Sequence, residues 1–113
     1  EVRLDADGGR PGLYTQTVKW GAGAGRDGRI VPADLPAAAA RAVRTTALRA
    51  ARALGVAGYC RVDLRLDVDG TPWVLEVNAR PSLEPGMEME AAADAAGEEL
   101  GALLEGLARD ARA

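Results

Sequence analysis

Four residues of this chain have side chains and a spacing suited to chemistry: Arg61, Asp63, Glu76 and Asn78. All lie in the stretch from Gly58 to Pro81, which reads as two strands joined at Asp69-Gly70. That dipeptide suits the positive φ angles of a two-residue type I′ hairpin loop. A loop placed there sets Asp63 opposite Glu76 and Arg61 opposite Asn78. Side chains alternate with period 2, so all four project from one face of the hairpin. The other face would carry Val62, Leu64, Leu66, Trp73, Leu75 and Val77 as a core. Two carboxylates facing each other across a ladder repel, and the pair needs a compensating charge. A divalent cation suits the hard oxygen donors of Asp63, Glu76 and the Asn78 amide. A solvent-facing strand pair with acidic decoration is the alternative.

Composition narrows the field. The chain has 113 residues, 48% of them hydrophobic but only 4% aromatic, with no Phe. One domain with a core of small aliphatic side chains fits that inventory. A formal charge of −3 gives no basic footprint for nucleic acid. With no His and a single Cys60, neither a zinc site, a disulfide within the chain nor His-dependent catalysis is available. No apolar run is long enough for a membrane span and no leader pattern is present, which points to the cytoplasm. The opening Glu1-Val2-Arg3-Leu4 has no initiator Met, and a piece of a longer protein is expected.

The hairpin needs elements to position it. Glu1 to Leu4 and Leu13 to Trp20 read as extended segments around an Asp7–Gly12 turn cluster. Gly21 to Gly28 reads as a Gly-rich surface loop, because no helix start follows at the spacing a phosphate loop requires. A helix is predicted from Pro36 to Leu54, with Asp34 able to cap it and Gly55 ending it. Val43, Ala47, Ala50 or Ala51, and Leu54 form its apolar stripe, with Arg41, Arg44, Arg49 and Arg52 off it. After the hairpin, a short helix from Met87 to Ala96 closes at Gly97. A last helix runs from Glu98 to Arg109 with Leu100, Leu103, Leu104 and Leu107 on one side.

Gly58-Tyr59-Cys60-Arg61-Val62-Asp63, the turn, and Leu75-Glu76-Val77-Asn78 resemble the C-terminal metal-binding signature of ATP-grasp carboxylate–amine ligases. The D-alanine–D-alanine ligase branch is the nearest, with its Gly-x-x-Arg-x-Asp, hairpin and Glu-x-Asn. Val18-Lys19-Trp20 resembles that branch's Ala-Lys-Tyr/Trp segment, and Pro32 to Pro36 its entry into the following helix. The resemblance implies an α+β fold: an ATP-grasp C-terminal subdomain over residues 1–113, mainly antiparallel sheet with packed helices. It implies ATP and Mg²⁺ (or Mn²⁺) as cofactors, with Asp63, Glu76 and Asn78 as metal ligands. By the same resemblance Arg61 stabilises the acyl-phosphate and tetrahedral species, Lys19 approaches the transferred phosphoryl group, and Leu75 lines the adenine pocket. Small carboxylate and amine substrates are the implied partners, together with the upstream part of the same enzyme. A homodimer is left open.

The chain departs from the family at two points. Met87 and Glu88 stand where the family has a Ser-Leu pair. Arg80 follows Asn78 by two residues, as in the carboxylase and carbamoyl-phosphate branches, where it could contact phosphate or a substrate carboxylate, or simply pair with Glu84. Two other readings stay open: a metal- or nucleotide-binding module without ligation, and a structural fragment. Arg61 separates ligation from pure metal binding, which needs no arginine beside the carboxylates.

Overall fold

The computed structural model describes residues 2–4, 28–30 and 32–111. The chain divides into two units, Glu1–Ala33 and Asp34–Ala113. In the first unit, strands β1 (Val2–Leu4) and β2 (Gly28–Ile30) pair antiparallel, with Val2 opposite Ile30. β1 falls in the expected segment. β2 was not expected: three residues beginning with Gly carry too little alternation to be read as a strand. The expected extended segment Leu13 to Trp20, and most of the expected loop Gly21 to Gly28, lie outside the described residues.

The second unit holds helix α1 (Ala37–Ala53), strands β3 (Arg61–Leu66) and β4 (Pro72–Asn78), and helices α2 (Glu88–Ala96) and α3 (Leu100–Asp110). β3 and β4 form an antiparallel hairpin, α1 packs on both strands, and α2 packs on α3. This is the expected α+β arrangement. Among the described residues, no helix is long and apolar enough to cross a membrane.

α1 forms because Ala supplies nine of its seventeen positions, and Ala is the residue with the least cost in a helix. Its N-cap is Pro36, with no side-chain capping bond, so Asp34 does not cap it. Pro36 has φ −53° and ψ 144°, just outside helical geometry, and its carbonyl accepts the first bond, from the Ala40 N–H. At the other end Gly55 takes φ +65°, the Gly55 N–H donates to Arg52 O, and the Val56 N–H donates to Ala51 O. That is a Schellman closure, which favours Gly at its left-handed position. Val43, Ala47, Ala50 and Ala51 are half-buried as expected, whereas Leu54 sits at the C-cap and is 67% exposed. The four arginines of α1 are exposed. α2 closes in the same way at Gly97, and Leu100, Leu103, Leu104 and Leu107 of α3 share a half-buried side.

The hairpin turn departs from the predicted type. Asp69 has no positive φ, and only Gly70 is left-handed, at +79°. The Gly70 N–H donates to Asp67 O and the Asp67 N–H to Thr71 O, so Asp67 to Thr71 form a type I turn followed by a left-handed glycine. The Asp67 carboxylate decides this geometry. Its Oδ1 accepts from the Asp69 and Thr71 N–H groups at 3.0 and 2.8 Å, and its Oδ2 from Trp73 Nε1 at 3.0 Å. An Asp side chain that holds backbone N–H groups further along the chain stabilises such a turn.

The longer loop moves the register by one residue, so Leu66 pairs with Pro72, Arg65 with Trp73 and Leu64 with Val74. A β-bulge at Leu75 moves it back, and beyond it Asp63 pairs with Glu76, Val62 with Val77 and Arg61 with Asn78. Trp73 and Leu75 therefore leave the expected core face and are 62% and 64% exposed, while Val62, Leu64, Leu66 and Val77 remain half-buried.

The bonds from Trp73 and the Thr71 N–H hold the Asp67 carboxyl below its ordinary 3.8. A depressed folded value contributes stability that is present above the unfolded value and lost as the pH falls through the folded one. Asp67→Ala should therefore lower Tm at neutral pH and flatten its fall at acid pH. Circular-dichroism melts between pH 7 and pH 2 check this, and parallel curves for the variant and the parent would count against the clamp.

Candidate functional site

The two ends of the hairpin behave differently. The turn end is tied by Asp67, and the far end carries the residues of chemical interest. Between them the Leu75 bulge fixes which β4 residue meets Asp63. Bulges commonly re-aim side chains beside sites, and here the bulge brings Glu76 opposite Asp63.

Arg61 is the hub of the site. Its Nε donates to Asp63 Oδ1 at 2.8 Å and its Nη2 to Asp63 Oδ2 at 3.1 Å, a two-pronged pairing of guanidinium and carboxylate. Its Nη1 donates to Glu88 Oε1 at 3.3 Å, reaching from β3 to the first residue of α2. The Arg61 pKa is raised, first by the hydrogen bond to Asp63, with further attraction from Asp63, Glu88 and Glu76 against the cost of partial burial. The attraction from Glu76 places its charge within the same local field.

Asn78 Oδ1 accepts from the Arg80 N–H at 2.9 Å, which orients the amide at the end of β4. An amide oxygen has two lone pairs, so one remains for a cation. The Arg80 side chain is exposed, and it makes no ion pair with Glu84 among the described residues. Leu75 is the bulged residue beside Glu76. Lys19 lies outside the described residues.

The structure thus brings Arg61, Asp63, Glu76 and Asn78 together at one end of the hairpin, with Leu75 and Arg80 flanking them. Among the described residues no three His, Cys, Asp or Glu side chains form a metal-holding group. The donor set is two carboxylates and one amide oxygen, too few for a closed cage. It fits Mg²⁺, which is usually held by one or two carboxylates and completed by water and phosphate oxygens.

Glu88 is the site residue that sequence reasoning missed. In the sequence it stands out only as a departure from the family pattern, and its ion pair with Arg61 spans 27 positions. The signal available was a carboxylate at the first turn of a helix, where the dipole favours it. Glu90, in the same turn, accepts the Gly86 N–H at 2.6 Å.

Comparison with known proteins gives the family. Residues 7–109 match the family described as D-ala D-ala ligase C-terminus. The chain belongs to that family. It is 40% identical over 99 residues to a D-alanine--D-alanine ligase of Synechococcus sp. (strain JA-3-3Ab), covering 88% of this chain and 30% of the relative. A D-alanine--D-alanine ligase of Bordetella petrii is 48% identical over 66 residues, 58% of this chain and 20% of that protein. One of Aromatoleum aromaticum is 34% identical over 111 residues, 98% of this chain and 34% of that protein. The chain thus spans between a fifth and about a third of the length of these curated relatives. No solved structure matches. The recognition made from the hairpin residues is borne out.

If Asp63 and Glu76 hold a divalent cation, Asp63→Asn and Glu76→Gln should each weaken Mn²⁺ binding at least about tenfold, since each removes one of two carboxylates. Titration calorimetry with Mn²⁺ and ATP measures it. Equal binding by the parent and both variants would remove the hairpin from consideration.

Proposed function

We propose that this chain is the ATP- and Mg²⁺-binding C-terminal part of an ATP-grasp ligase that joins a carboxylate to an amine through an acyl phosphate. D-alanine is the substrate that the relatives' names suggest. The observation that carries the reading is the pairing of Asp63 with Glu76 beside Arg61, in a chain of this family. Asp63, Glu76 and Asn78 would hold the metal. When bound, Mg²⁺ would supply positive charge that offsets the charge of the ATP phosphates.

The chain's own residues supply the rest. Arg61 is a permanent cation whose planar fork matches carboxylate and phosphate oxygens. It would offset the charge that builds on the acyl phosphate and on the tetrahedral species formed when the amine attacks. Arg80, exposed just beyond β4, would meet a phosphate or a substrate carboxylate. Leu75, exposed on the bulge, offers apolar surface to the adenine, and Lys19 would approach the transferred phosphoryl group. The rest of the nucleotide site would come from upstream parts of the same enzyme, as the greater length of the relatives suggests. Dependence on ATP fits a cytoplasmic location.

Two outcomes follow. The 113 residues alone should show no ATP-dependent ligation, because a nucleotide needs walls on both sides. In the complete enzyme Arg61→Met should lower kcat by about 10²–10³, the loss seen when one oxyanion donor is removed, with little change in the KM for ATP. Steady-state kinetics measure the second. A kcat near wild type, with a lowered Tm only in the metal-free protein, would reduce Arg61 to a structural counter-charge.

A further inference from the structure

Arg61 and a metal ion compete for the same atoms. Both Asp63 oxygens already accept from Arg61, through Nε and Nη2. Each Asp63 oxygen keeps a second lone pair, but a cation ligated there lies close to the guanidinium, and their repulsion favours moving Arg61 off at least one of those oxygens. Arg61 then needs a second acceptor if it is to stay beside the site. Glu88 is placed to be that acceptor. Its Oε1 already accepts from Nη1 at 3.3 Å, a long bond. Its other oxygen, Oε2, is buried without a hydrogen-bond partner among the described residues. A buried carboxylate oxygen left unpaired costs free energy, so it has a drive to find a donor. The guanidinium end bearing Nη1 and Nη2 offers two parallel N–H groups, the geometry for two-pronged pairing with one carboxylate.

We infer that Glu88 is a positioning residue that takes over the Arg61 fork when a divalent cation claims Asp63. This rests on the metal-site reading of Asp63 and Glu76 given above. Glu88 holds α2 to the hairpin through Arg61 in both states, and it lowers the cost of freeing Asp63. Glu88→Gln keeps the size of the side chain and removes the charge. Without that charge Arg61 stays on Asp63, and the metal binds less tightly.

The test is a double-mutant cycle on the full chain with Mn²⁺ alone as the probe, read by water-proton relaxation. The variants are Glu88→Gln, Arg61→Met and the pair. Glu88→Gln should weaken Mn²⁺ binding about tenfold when Arg61 is present, within the range for coupled contacting residues. In the Arg61→Met background the same change should have an effect of less than about twofold, the additive outcome. Glu88→Asp, which keeps the charge, should recover part of the loss. A purely structural contact would lower Tm without this coupling. Equal weakening in both backgrounds, or no weakening in either, overturns the inference while leaving the metal site standing. Absence of Mn²⁺ binding by the unsubstituted chain overturns both.

Discussion

Two carboxylates directly opposed across an antiparallel ladder are the constraint on which this structure turns. Asp63 and Glu76 sit at such a pair, where like charges destabilise the strands that carry them. The chain answers with Arg61, which forks onto Asp63 and lies within the field of Glu76. The arrangement keeps its negative charge available and neutralises it only from one side. A purely structural hairpin could relieve the same repulsion more simply, by placing a neutral residue at either position.

The rest of the second unit serves that register. Asp67 ties the turn with three hydrogen bonds, Gly70 takes the left-handed position, and the bulge at Leu75 restores the pairing that the five-residue turn would otherwise shift. A one-residue slip in a strand sends every side chain to the opposite face, so without the bulge Glu76 would leave the site. α1 packs on both strands from the Ala-rich side, where small side chains allow close approach. Among residues 32–111 only Pro81 and Ala93 are buried. The hairpin is therefore held more by turn chemistry and register than by a deep core.

The site was legible because it lies within one hairpin. Strand alternation and a Gly-containing turn between the two halves were enough to pair Asp63 with Glu76 and Arg61 with Asn78. The route was partly wrong, since Asp-Gly fits both a two-residue loop and the last half of a type I turn. The Asp67 side chain selects the second, and nothing in local propensity shows that choice. The expected core positions Trp73 and Leu75 failed for this reason alone. Glu88 was not legible as an Arg61 partner because its contact depends on how α2 returns to the hairpin. Asp34 resembled a cap by type, but the backbone turned helical two residues later, after Pro36.

The most direct measurement maps where a paramagnetic cation sits. Amide spectra of the ¹⁵N-labelled chain recorded with sub-stoichiometric Mn²⁺ and ATP should show broadening centred on residues 61–63 and 76–78, fading toward the turn. Broadening centred on Asp67 and Asp69 instead, or spread evenly over the acidic surface, would contradict the account, because the opposed carboxylates would then not be the place the cation chooses.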